Sequence, residues 1–393
     1  MSKFSFKAIF ASPMAFLALS IPLMQGCVGG GTEVTDTDVA TAEWRWELPP
    51  NFPTPAVPED NPMSEAKFQL GRHLFYDKRL SGNQTFSCAS CHHQDKAFTD
   101  GKAFSIGSTG DVLTRNSPSL VNSAYHSTYT WVDPNLMTLE AQMLTPLFAT
   151  KTVEMGINDT NREEVLLRFR QDEDYQRMFT TAFPGAGDAI DFELIIKAIA
   201  TFQRALLTGH SKFEQYQQGI VRLSPSEDRG RVLFNSEQAE CFHCHGSFNF
   251  NDQVTFAGSR VEPNFFHNTG LYNIGDHGDF PPDNQGLFAF TELETDKGLF
   301  RAQSLWNVGV TAPYMHDGSI ATLEEVLDFY ADGGRNITEG EYAGDGRKNP
   351  YKSDLIGLIN LSEQDKADLV AFLRTLTDER LLSDERFSNP FAE

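Results

Sequence analysis

Positive charge is scarce in this 393-residue chain: 32 Lys and Arg stand against 54 Asp and Glu, for a formal net charge of −22. That balance argues against a nucleic-acid binder, because a phosphate backbone needs a basic face to neutralise it. It suits a basic partner protein, and equally an ordinary soluble surface. Long apolar runs are also missing. Beyond the first 26 residues, no stretch stays apolar for the roughly 18 residues that a membrane-crossing helix requires. Strand signals are few, and Gly-Asp, Asp-Gly and Asn-Pro clusters mark long loops instead. Cysteine is rare, with five in the chain: Cys27, Cys88, Cys91, Cys241 and Cys244.

Residues 1–26 read as an export address. Lys3 and Lys7 precede the apolar run "AIFASPMAFLALSIPLM", which ends at "QGC". A cysteine at this point resembles the acylated residue of a bacterial lipoprotein, so Cys27 is the expected lipidation site. Met24 and Gln25 stand where Leu and a small residue are usual, and plain secretion is the alternative. Residues 27–60 follow as a tether: "VGGGTEVTDTDVATAE" has almost no apolar side chains, and "WELPPNFPTPAVPEDNP" is proline-rich and extended.

The remaining cysteines form two pairs of one pattern. "SCASCH" places Cys88 and Cys91 three apart with His92 next, and "ECFHCH" repeats this as Cys241, Cys244 and His245. Cys-x-x-Cys-His is the pattern of covalent c-type haem attachment. Two thiols three apart on a helical turn can each bond one vinyl group, and the following histidine then reaches the iron. A four-cysteine zinc site wants its pairs about 15–20 residues apart, and a redox pair belongs near a βαβ unit; neither context is present. With one cysteine for lipid and four for haem, none remains for a structural disulfide.

The motifs sit in an internal repeat. "GRHLFYDKRLSGNQTFSCASCH" and "GRVLFNSEQAECFHCH" both run Gly-Arg-x-Leu-Phe, a connection, then the motif, from Gly71 and Gly230. The expected class is all-α with long loops, as two cytochrome c-like haem domains over residues 61–221 and 222–393. Ser64 is a good N-cap for the first, and "LSPSEDRG" offers N-caps for the second. "DFELIIKAIATFQRALLTG" puts Ile195, Ile199, Phe202 and Leu206 on one stripe and predicts a helix ending at Gly209. "LSEQDKADLVAFLRTL" opens with a Ser362/Asp365 capping box and lines up Leu369, Phe372, Leu373 and Leu376.

"LSGNQTFSCASCH", "RNSPSLVNSAY", "TLEAQMLTPLF", "VEMG" and "TAPYMHDGSIATLEEVLDFY" resemble the bacterial di-haem cytochrome c peroxidase and MauG family over about residues 60–380. The opening of the body and "TWVDPN" look closest to the branch that contains MbnH, the methanobactin-associated di-haem enzyme. The resemblance implies that the N-terminal haem reacts with peroxide and needs an open distal side. In many members a loop histidine blocks that side until reduction expels it. Here the loop reads "SIGSTG" with Ser108 about where that residue would be, and no histidine lies between His93 and His126. The site is therefore expected to be open without reductive activation.

Glu140 in "TLEAQ" matches the family's distal acid, against the plain reading of a solvated Glu near a helix start; Tyr129 or Thr130 stands at the place of the family's glutamine. Tyr330, fourteen residues after His316, falls where ordinary peroxidases carry a Met ligand to the second iron and MauG carries Tyr. Periodicity alone makes it a core residue, since Leu323, Val326, Leu327 and Tyr330 form a stripe. An axial Met raises haem potential, whereas a phenolate stabilises higher oxidation states. Met315 matches no family ligand. Calcium is expected through the carbonyls of Thr311 and Pro313, with Asp95, Asp100, Asp111 or water adding oxygens. Ser119 stands at the place of the inter-haem tryptophan, leaving Trp131 and Trp306 as relay candidates.

Together these features lead to an exported, periplasmic oxidoreductase, anchored by lipid to the outer membrane. It would react with hydrogen peroxide at the first haem and oxidise a partner protein's side chain. One alternative is a cytochrome c peroxidase fed by a small cytochrome c or cupredoxin. The other is a non-enzymatic electron carrier.

Overall fold

The computed structural model describes residues 44–260, 265–357 and 359–392. The leader and Cys27 lie outside the described residues. Ser64 accepts the N–H of Lys67 at 3.2 Å and opens helix α1 (Glu65–Tyr76). The chain passes the first motif and reaches the short helices α2 (Leu139–Gln142) and α3 (Leu144–Phe148), then α4 (Arg162–Arg170), α5 (Glu173–Ala182) and α6 (Phe192–Arg204). Helix α7 (Lys212–Gln217) leads to α8 (Pro225–Phe234), and the second motif lies on α9 (Phe242–His245). The one-turn α10 (Phe288–Thr291), then α11 (Leu323–Ala331) and α12 (Glu363–Arg374) complete the helices. A two-residue antiparallel pair, β1 (Asn336–Ile337) with β2 (Gly344–Asp345), is the only sheet among the described residues. The architecture is helix-rich with long loops. No described helix is long and apolar enough to cross a membrane.

The Gly-Arg-x-Leu-Phe repeat is one helix crossing built twice. A Cβ on Gly71 of α1 would lie 1.9 Å from the carbonyl oxygen of Ala198 and 3.0 Å from Phe202 Cβ, both on α6. A Cβ on Gly230 of α8 would lie 1.9 Å from the carbonyl oxygen of Asp368 and 2.9 Å from Phe372 Cβ, both on α12. Only glycine lets the backbones meet. The phenylalanine four residues on then packs against the partner helix, Phe75 on Phe202 at 5.0 Å and Phe234 on Phe372 at 5.4 Å between centroids. Each crossing heads a core, one with Phe68, Phe98 and Ile199, the other with Phe213, Phe250 and Leu369.

A second repeat emerges with the coordinates. Asn122 and Asn307, in "SLVN" and "SLWN", both have left-handed backbones, with φ of 58° and 63°. Their N–H groups donate to Leu206 and Leu376 carbonyls at 2.8 and 3.0 Å. Their side-chain oxygens accept the N–H of Thr208 and of Asp378. Asparagine tolerates this backbone and ties it to the end of each crossing helix.

Two boundaries differ from expectation. Helix α6 stops at Arg204, not Gly209, because Asn122 and Asp378 capture the N–H groups of Thr208 and Gly209. The extreme C-terminus does not stay with the second core: Leu381 and Phe387 pack into the first. Tyr76 donates to the Phe387 carbonyl at 2.8 Å, and Arg72 Nε to that of Ser388 at 2.6 Å. The proline-rich strap is extended as expected and serves both cores. Trp44 lies on Phe68, and Phe52 lies between Tyr125 and Trp306.

Gly230→Ala should destabilise the protein by at least about 2 kcal/mol through overpacking at the α8–α12 crossing. Chemical denaturation of the holoprotein reads this, and a change under 0.5 kcal/mol, the usual surface range, would mean that the crossing adapts freely.

Candidate active site

Each motif presents its histidine in the same way. His92 Nδ1 lies 2.7 Å from the Phe98 carbonyl, and His245 Nδ1 lies 2.8 Å from the Phe250 carbonyl. A carbonyl only accepts, so each Nδ1 carries the proton and each Nε2 keeps its lone pair for a metal. Burial lowers both imidazole pKa values, which favours this neutral form. The four cysteines are unpaired. Burial pushes the Cys88 and Cys241 thiols up to about 12 and Cys91 up to about 11.

A cavity of about 250 Å³ opens beside the second motif, walled by Cys241, Cys244, His245 and Tyr330. His126 Nε2, Arg301 Nη1 and Gln303 Nε2 also line it; all three are buried and make no hydrogen bond. An apolar chamber with thiols, a metal-ready histidine and unsatisfied donors fits haem, a flat apolar macrocycle with two carboxylates. Tyr330 belongs to this wall. Its phenol pKa is pushed up by burial first, then by Cys244 and Cys241. Among the described residues its hydroxyl has no hydrogen-bond partner.

Met315 lines the same cavity, on a left-handed backbone with φ of 72°. Trp131 borders it too and donates Nε1–H to the Asn116 carbonyl at 2.8 Å. Trp306 instead packs inside the second core, against Phe250 and Phe213. Thr311 and Pro313 reach the cavity. Asp100 is committed to Ser105 and the N–H of Lys102, Asp111 accepts the N–H of Val153, and Asp95 is exposed.

Glu140, the acid expected at the first site, is held in an ion pair. Arg204, only 3% exposed, donates to both carboxylate oxygens of Glu140 at 2.8 and 3.1 Å, and Asn61 adds a bond at 2.8 Å. Glu140 thus closes an ion pair on helix α6. Glu154, in contrast, acts on both Cys88 and Cys91, raising their thiol pKa values. Burial lifts its own carboxyl to about 7. Ser108 lies against the same segment, its N–H donating to the Glu154 carbonyl at 2.7 Å, and its hydroxyl is buried without a partner.

A family profile described as di-haem cytochrome c peroxidase matches residues 65–222. The cytochrome-c peroxidase IdrP1 of a Pseudomonas species is 34% identical, over 86% of this chain and 88% of that protein. The methylamine utilization protein MauG of Methylorubrum extorquens is 31% identical, over 90% of each. The crystal structure of a MauG-like protein associated with microbial copper homeostasis is 54% identical, covers 89% of this chain and all of that one, and superposes with a TM-score of 0.88. The chain belongs to the di-haem cytochrome c peroxidase and MauG family. It is therefore a di-haem c-type oxidoreductase.

Within this family fold, sequence reasoning passed over Glu154 although it quoted "VEMG". A second acidic residue inside a family motif was the available signal; what separates the two is the Arg204 ion pair, which only Glu140 makes. Glu140→Gln should leave haem content intact and destabilise the fold by about 3–5 kcal/mol, the range for breaking a buried ion pair. Absorption spectroscopy measures the haem content, denaturation the stability, and peroxide kinetics any catalytic part. A slowed peroxide reaction at unchanged stability would return the catalytic role to Glu140.

Proposed function

We propose that this family member is of the MauG type, closest in kind to MbnH: it reacts with hydrogen peroxide at the first haem and draws the oxidising power from a partner protein's side chain. Two haem c domains carry the activity, residues 61–221 and 222–393, with the C-terminal tail returning to the first. When bound, haem supplies the peroxide-reactive iron at the first site and a store of oxidising equivalents at the second. The observation that carries this reading is Tyr330, a half-buried phenol with no hydrogen-bond partner in the cavity that His245 lines. Its phenolate oxygen would hold the second iron and would favour a low potential.

At the first site, a carboxylate oxygen of Glu154 takes a proton from one peroxide oxygen and returns it to the other. Ser108 keeps the distal side clear where many relatives carry a histidine. Trp131, at the cavity edge, is the relay between the sites. Calcium would be held by the Thr311 and Pro313 carbonyls and by water, since Asp100 and Asp111 are engaged elsewhere. The protein acts in the periplasm, tethered through lipid on Cys27. Met315 supports a second reading: as axial ligand it would make an ordinary peroxidase fed by a cytochrome c or cupredoxin.

Tyr330→Phe should change the absorption spectrum of the second haem, and Tyr330→Met should raise its potential and abolish partner oxidation. A wild-type spectrum in the Phe variant would make Tyr330 a core residue and favour the ordinary peroxidase. Glu154 must be ionised to accept the peroxide proton, so the rate of the peroxide step should fall as pH drops through about 7. Glu154→Gln should slow that step at least ~100-fold and remove the inflection. A persisting inflection would assign it to another group.

A further inference from the structure

We propose that Glu237, Glu240 and His243 form a binding site for a divalent first-row transition cation, of the zinc or copper class, on the outer side of the second haem motif. His243 is one of the two residues between Cys241 and Cys244. Two backbone turns bring the carboxylates to it: Glu240 N–H donates to the Ser236 carbonyl at 3.0 Å, and His243 N–H to the Glu240 carbonyl at 3.4 Å. Glu240 holds a left-handed backbone, with φ of 58°, a conformation a glutamate adopts only when its surroundings enforce it.

The spacing of the donor atoms fits a metal. His243 Nε2 lies 2.9 Å from Glu240 Oε2 and 3.4 Å from Glu237 Oε2, and all three donor atoms fall within 4.8 Å of one another. Metal–ligand bonds of about 2.0–2.2 Å place neighbouring donors about 3.0–3.5 Å apart in octahedral or tetrahedral arrangement. Glu240 supplies an independent sign. Its side chain is 5% exposed, and Oε2 is buried without a hydrogen bond even though Nε2 is 2.9 Å away. The imidazole Nε2 hydrogen-bonds Glu237 Oε2 instead, at 3.4 Å, which leaves the Glu240 oxygen without a donor. A buried carboxylate oxygen with no donor is costly, and a cation relieves it. Phe242 packs on the imidazole at 4.1 Å between ring centroids and holds its plane.

One imidazole and two carboxylates suit zinc, copper and their neighbours, with copper favoured by intrinsic affinity. Calcium, which takes six to eight oxygens, fits poorly. The second cluster of this kind, Cys244 with Asp252 and His267, is no rival, because haem attachment uses its thiol. A cation at His243 adds positive charge within the motif that carries the second haem, so occupancy should shift that haem to higher potential.

The test is Zn2+ titration of the calcium-saturated holoprotein by calorimetry, with a redox titration of the second haem in parallel. One Zn2+ per chain is expected at this site, with affinity reduced at least ~10-fold in Glu237→Gln and in His243→Gln. The Zn2+-dependent rise in potential should vanish in the same variants. Glu237 is exposed, so its variant should fold and carry two haems normally. Zn2+ affinity unchanged in both variants, or no stoichiometric binding by the wild type, would overturn the proposal.

Discussion

Everything at the two redox sites hangs on a backbone contact between helices. Where α1 meets α6 and α8 meets α12, a glycine removes the side chain that would keep the axes apart, and the opposing carbonyl oxygen occupies its place. That contact sets the position of Phe202 and Phe372, against which Phe98 and Phe250 pack. The carbonyls of those same two phenylalanines hold His92 and His245 by Nδ1. A chain of contacts thus runs from glycine to crossing to aromatic cluster to imidazole orientation, and it is built twice. Rigid placement of a metal-binding histidine through its second nitrogen is how a protein fixes both tautomer and direction.

Upon this common frame the two halves diverge in what they offer the haem. The first half carries Glu154, whose carboxyl is lifted to about 7, and the small hydroxyl of Ser108. The second supplies a large apolar chamber, a phenol without a partner and a cationic, polar end at Arg301. The frame is duplicated, but the side chains set around it differ between the halves.

Much of the frame was legible in the chain itself. The haem motifs, the glycine repeat and the N-caps at Ser64, Ser224 and Ser362 are local patterns, and each appears as read. Contacts between distant residues were not legible. Glu140 and Glu154 look alike in sequence; what distinguishes them is Arg204, which arrives from 64 residues away to neutralise the first. The end of α6 was misplaced because its stop signal comes from Asn122 and Asp378, not from the nearby Gly209. Tyr330 was ambiguous for a related reason, since a helical stripe cannot say whether a phenol meets another side chain or a cavity.

The account's central claim is that the first site is open at rest and that both haems share what peroxide delivers. Rapid mixing of the fully ferric holoprotein with one equivalent of hydrogen peroxide, followed by optical and freeze-quench paramagnetic resonance spectroscopy, tests it most directly. Prompt loss of the ferric signals of both haems, without added reductant, is the predicted result. A protein that stays unchanged until one electron has been supplied, or that loses only the first haem's signal, would contradict the account.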